Sequence, residues 1–78
     1  MPTYTLDALR QGKAATVSAL RASGAERRRF MDIGLIPGTT VKSLFRSCFG
    51  DPTAYLIQGA VIALRREDAH TVLVHTDV

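Results

Sequence analysis

Apolar and polar positions alternate in short runs, and glycine or proline breaks them every few residues, at Gly12, Gly24, Gly34, Pro37-Gly38, Gly50-Asp51-Pro52 and Gly59. The pattern leaves room for short elements only. Thr5 to Leu9 suits one helical turn with Thr5 as its cap. Residues 14–21 set Val17 and Ala19 against Thr16 and Ser18, a period of two that predicts a strand. Ser23-Gly24-Ala25-Glu26 has the Ser-x-x-Glu form of a capping box, so a helix is expected over 24–33, with Phe30 and Ile33 on one face and Gly34 as its left-handed stop. Leu35-Ile36-Pro37-Gly38 is a loop in which Pro37 and Gly38 fit the central positions of a type II turn. A strand over 39–46 carries Val41, Leu44 and Phe45, and its imperfect alternation suggests a bulge. Residues 53–58 and 61–65 form a hairpin around Gly59, Glu67 to Ala69 a helical turn, and 71–75 a last strand.

These elements predict a mainly β chain of five short strands and one inserted α-helix, a small barrel whose closure would remove exposed sheet edges. The expected core is Leu6, Leu9, Val17, Phe30, Ile33, Val41, Ile57, Ile62, Leu64, Val72 and Val74. With 78 residues, no tryptophan and 6% aromatics, that core is aliphatic and the whole of 1–78 is expected to be one domain. Such a chain is too short for a nucleotide-binding α/β domain with a deep cleft, which argues against an enzyme.

Charge narrows the partner class only a little. The net charge is +3, carried by eight arginines and two lysines. Guanidinium groups make forked contacts to carboxylates and phosphates, so an arginine-rich surface suits specific polar docking. A nucleic-acid binder of this size would carry a denser basic stripe. The single cysteine, Cys48, cannot form a bridge within the chain and fits a reducing compartment. The first residues lack the basic and apolar regions of a signal peptide, and no apolar run approaches the ~20 residues that span a bilayer. The expectation is a cytoplasmic chain without direct membrane insertion.

No constellation for catalysis stands out. The serines have no spacing that suggests an activating base, and Cys48 beside Phe49 and a turn reads as an inert thiol. His70 and His75, if both lie in one strand, would point to opposite faces about 16 Å apart at ~3.3 Å per residue. No Cys-x-x-Cys or His-x-x-x-His is present, so neither a metal site within one chain nor a cofactor is expected. Arg27-Arg28-Arg29 and Arg65-Arg66 are either solvated surface or a basic patch for an acidic partner. The apolar pair Leu35-Ile36 sits in a loop, where it either tucks under the barrel or anchors a partner.

Taken in order, certain words along the chain resemble the FeoA family. Leu6-x-x-Leu9-x-x-Gly12-x-x-Ala15-x-Val17 is similar to its opening, and Arg29-Phe30-Met31-Asp32-Ile33-Gly34-Leu35-Ile36-Pro37-Gly38-Thr39-x-Val41 to its central signature. Gly50-Asp51-Pro52, Gly59-x-x-Ile62-Ala63-Leu64-Arg65 and Ala69-x-x-Val72-x-Val74 resemble its closing hairpin and final strand. The resemblance runs from residue 6 to 74. It implies an SH3-like barrel, a link to transition-metal ions, and a non-enzymatic, cytoplasmic accessory role in ferrous-iron uptake through the cytosolic part of the membrane transporter FeoB. A similar domain closes iron-dependent repressors of the DtxR type, but no DNA-binding helices precede it here.

The leading expectation is therefore a protein-interaction module that docks on a FeoB-type transporter and modulates its iron transport. Its expected contacts are Leu35 and Ile36, rimmed by Arg27, Arg28, Arg65 and Arg66. The alternative is a small basic nucleic-acid-binding barrel, whose binding would weaken steeply with salt. A third reading is iron sensing through sites shared between subunits. Partly open edges would also allow a homo-oligomer.

Overall fold

The computed structural model describes residues 2–76. Six strands form one antiparallel sheet: β1 (Thr3–Thr5), β2 (Ala14–Leu20), β3 (Thr40–Arg46), β4 (Thr53–Ile57), β5 (Ala60–Leu64) and β6 (Val72–His75), in the order β1-β6-β2-β3-β4-β5. A 3-10 turn at Leu6–Ala8 follows β1, α1 (Gly24–Asp32) joins β2 to β3, and α2 (Arg66–Ala69) joins β5 to β6. The expected five strands become six, because the polar tripeptide Thr3-Tyr4-Thr5 pairs with β6, Thr3 opposite His75 and Thr5 opposite Leu73. The ladder does not close into a barrel: β1 and β5 remain its two edges. The mainly β, SH3-like architecture holds in this open form.

Two bulges shape the sheet. Against β6, Val17 faces Val74 and Ala19 faces Leu73, so Ser18 drops out of register and Val17 and Ala19 do not alternate as a regular strand would have them. In β3 the register slips between Ser43 and Phe45, the bulge expected from the broken alternation. Its effect is to turn Phe45 outward, leaving it 57% exposed.

The ends of α1 behave differently. Ser23 has the extended backbone of a cap residue, but its side chain makes no capping hydrogen bond. The expected capping box is absent because Gly24, at φ +64°, leads the chain into the helix through a left-handed residue. At the other end Leu35 N–H donates to the Phe30 carbonyl (3.0 Å) and Gly34 N–H to that of Met31 (3.1 Å). With Gly34 at φ +103° this is a Schellman stop. Thr39 N–H then donates to the Ile36 carbonyl (3.1 Å), closing the type II turn over Pro37-Gly38. Gly38 N–H to the Val17 carbonyl (2.9 Å) and Val17 N–H to the Thr39 carbonyl (2.8 Å) bind that turn to β2.

Nine of the expected core residues, Leu6, Leu9, Val17, Phe30, Val41, Ile57, Leu64, Val72 and Val74, are buried in one cluster. Ile33 and Ile62 pack at its margin, only partly buried. Ala15, Ala22, Leu35, Tyr55 and Ala69 complete it. The alanines let the helices and strands approach closely, which a search for large apolar residues overlooks.

Candidate docking surfaces

The fold separates the residues expected to meet a partner. Leu35 lies in the core with 0% of its surface exposed, so it is not a docking contact. The Schellman stop leads it into the same buried cluster as Phe30, which is also fully buried. Ile36, next in sequence, is 38% exposed and Met31 on α1 is 42% exposed. Arg27 and Arg28 are exposed and line a hollow of about 350 Å³ with Gly24, Met31 and Asp32. Apolar and basic groups are thus present together on α1, with Ile36 in the loop beyond it.

Arg65 and Arg66 belong to another hollow, shared with Asp7, Asp51, Glu67 and His70. Arg27 and Arg28 thus line one hollow, and Arg65 and Arg66 another. Between them in sequence, Arg29 pairs with Asp68 of α2 (Nη2 to Oδ2, 3.5 Å) and its guanidinium lies 4.9 Å from the Phe30 ring centroid. Arg29 is therefore engaged within the fold. Arg66 has its backbone N–H donated to Asp51 Oδ1 (2.8 Å), which fixes the start of α2 against the turn before β4.

A groove that the sequence did not reveal runs beside the first bends of the chain. It has a volume of about 550 Å³; Tyr4, Ala8, Leu9, Ala14 and Ala15 provide its apolar wall, and Arg10 and Lys13 are its charged lining residues. It depends on β1, whose pairing with β6 brings Tyr4 to this side of the sheet.

A polar basin of about 320 Å³ is lined by Asp7, Arg46, Gly50, Thr53, Tyr55 and Arg66. His70 Nδ1 lies 3.3 Å from Asp7 Oδ2. Burial raises the Tyr55 phenol above its ordinary value of 10.0, and the charges of Asp7 and Asp51 add to the rise, while a Thr53 hydrogen bond and Arg46 oppose it. The unfolded chain therefore loses this proton first as pH rises. The stabilisation linked to Tyr55 is present below the ordinary value and is lost as pH climbs through the higher folded value. Urea midpoints measured between about pH 8 and pH 11 are expected to fall less steeply in Tyr55→Phe than in the parent chain. Parallel profiles would contradict the assignment.

Among the described residues, no three His, Cys, Asp or Glu side chains are grouped to hold a metal ion. His70 caps α2 while His75 lies in β6, so the two do not share a strand. Cys48 is a free, exposed thiol. No helix among the described residues is long and apolar enough to cross a membrane.

The model of the FeoA domain matches residues 4–76. The chain belongs to the FeoA family. The run Arg29 to Val41, which resembles the family's central signature, builds the Schellman stop and the type II turn. Its glycines and proline have a backbone reason to be there. No curated protein matches the chain. Among solved structures, the FeoA protein of Chlorobium tepidum is 35% identical, with a TM-score of 0.87, covering 95% of this chain and 70% of that one. FeoA of Stenotrophomonas maltophilia, an SH3-domain protein complexed with zinc, is 27% identical with a TM-score of 0.80, over 90% of this chain and 87% of that one. A manganese-dependent transcriptional repressor is 26% identical with a TM-score of 0.84, over 96% of this chain and 42% of that one. The FeoA fold thus recurs as one part of a longer regulator.

Proposed function

We propose that this FeoA-family chain is a cytoplasmic, non-enzymatic accessory of ferrous iron transport that docks on the cytosolic part of a FeoB-type transporter and modulates its iron uptake. The observation that carries the role is the FeoA-domain match over residues 4–76. The S. maltophilia relative, for which a role as a bacterial ferrous iron transport activating factor has been suggested, supports the same direction. Docking through α1 and the loop after it is supported by Met31 and Ile36, exposed apolar side chains beside or beyond Arg27 and Arg28. Apolar anchors that become buried supply most of an interface's energy, and rim charges mainly steer the encounter. Arg65 and Arg66 are a separate basic rim. The groove with Arg10 and Lys13 is the competing surface, favoured by its apolar wall and by two basic residues with no acidic one lining it among the described residues.

Binding of the purified chain to the solubilised FeoB-type transporter of its native host tests both. Met31→Asp with Ile36→Asp is expected to weaken binding at least tenfold, about 1.4 kcal/mol, with an unchanged circular-dichroism spectrum. Arg27→Glu with Arg28→Glu is expected to slow association, most at low salt. Loss of binding only in Arg10→Glu with Lys13→Glu moves the contact to the groove. No binding by the parent chain at any salt concentration overturns the docking.

A further inference from the structure

The β5 edge of the sheet is open and unprotected. The two-residue turn Gln58-Gly59, with φ +48° and +81°, makes Ile57 and Ala60 the closing pair of the hairpin. In such a hairpin the closing pair is hydrogen-bonded and the pairs then alternate. Ala60, Ile62 and Leu64 therefore turn their N–H and C=O groups toward β4, while Val61 and Ala63 turn theirs away from it. Among the described residues no strand pairs with β5 on that far side. Natural sheets guard such an edge with a charge, a proline or a bulge. Ala60-Val61-Ile62-Ala63-Leu64 has no charge and no proline, and its register with β4 is unbroken. Val61 is 61% exposed. Across the strands it lies in line with Leu56, and Ala63 lies in line with Ala54 and the outward Phe45.

We propose that this edge is a homodimer interface, in which β5 of two copies pairs antiparallel about a two-fold axis through Ile62. The register follows from the outward groups. With Ile62 opposite its own counterpart, Val61 faces Ala63 and Ala63 faces Val61. Both are then hydrogen-bonded pairs, and each outward N–H and C=O of these residues has a partner. Sliding by one residue mismatches inward and outward groups, and sliding by two keeps a single such pair within the strand. The side chains agree with this register. Valine meets alanine on the outer face, large against small, and the partly buried Ile62 meets its twin on the core side. Beyond the strand, Arg65 comes opposite Gly59 and Arg66 opposite Gln58, so like charges do not oppose each other. Pairing about Ile62 lets the same residues satisfy both sides of the contact, matches valine to alanine and opposes no like charges, as a two-fold interface between two copies of the chain requires. The pairing uses β5 of each copy once and stops at the dimer.

Sedimentation equilibrium from about 1 μM to 1 mM is expected to show a reversible rise from monomer to dimer mass. Val61→Pro removes an N–H that faces the open edge and no hydrogen bond to β4, so the variant is expected to stay monomeric with the parent circular-dichroism spectrum. Crosslinking gives a second reading that does not depend on that variant folding. In a Cys48→Ser background, Ile62→Cys places two thiols at a non-hydrogen-bonded pair, with Cα atoms about 4.5 Å apart, within the roughly 4.4–6.8 Å that disulfides span. Its oxidation to a covalent dimer is expected to be at least tenfold faster than that of Val61→Cys. A parent chain that stays monomeric through the range, assemblies larger than dimers, a folded Val61→Pro that still dimerises, or equal crosslinking at 61 and 62 would each overturn the interface.

Discussion

Leu35→Asp is expected to leave the chain unfolded at room temperature, and Leu35→Ala to cost about 2–5 kcal/mol in urea denaturation. The side chain is fully buried in the central cluster, and both backbone turns that place it are hydrogen-bonded. Truncation to alanine removes apolar contacts and leaves a cavity. An aspartate adds an ionisable group with no partner in the cluster, a larger penalty than the cavity. Small domains lie toward the low end of the roughly 5–15 kcal/mol by which folded proteins are stable, so either variant removes a large fraction of what is available. Ile36→Asp, at a position 38% exposed, is expected to shift the midpoint far less. The two loop residues therefore do different work, Leu35 for the fold and Ile36 toward solvent. A Leu35→Asp chain with the parent urea midpoint would contradict the placement. A loss of transporter binding in Leu35→Asp would report unfolding, and only Ile36 variants report on docking.

The adjacency of Leu35 and Ile36 shows where sequence reading succeeds and where it stops. Gly34, Pro37 and Gly38 each announce their backbone geometry, because only certain residues adopt it at low cost, and the Schellman stop and type II turn appear as expected. What the letters do not announce is which of two consecutive apolar side chains faces inward. That depends on the angle at which the turn leaves the helix. The same holds for β1. Thr3-Tyr4-Thr5 carries no apolar alternation, and its strand conformation is imposed by hydrogen bonds to β6, a partner about 70 residues away in the chain. The groove at Arg10 and Lys13 exists only once that pairing exists, so it was equally hidden. The capping box failed for the opposite reason. Its letters were present, but the left-handed Gly24 between Ser23 and Glu26 spoils the geometry that they require. The ion pair of Arg29 was hidden in the same way as the groove, because its partner Asp68 is far off in the sequence and is brought near only by the fold.

Gly34→Ala is also expected to destabilise the chain, and its cost should divide into two measurable parts. A residue with a Cβ held at φ +103° loses about 1–2 kcal/mol for the left-handed conformation alone. The added methyl would also stand 3.0 Å from Cδ and 3.2 Å from Cγ of Gln58. That side chain sits on the β4–β5 turn, and Gln58 Nε2 donates a long hydrogen bond of 3.5 Å to Thr39 Oγ1. It must shift for the methyl to fit, which loosens a link between the hairpin and the loop after α1. In a Gln58→Ala background the steric part vanishes and the conformational part remains. A double-mutant cycle in urea is therefore expected to show Gly34→Ala costing about 0.5–1 kcal/mol less beside Gln58→Ala than alone. Equal costs in both backgrounds would mean that Gln58 yields freely and that conformation is the whole requirement. A coupled result would mean that Gly34 serves two purposes, stopping α1 and letting the β4–β5 turn close over it.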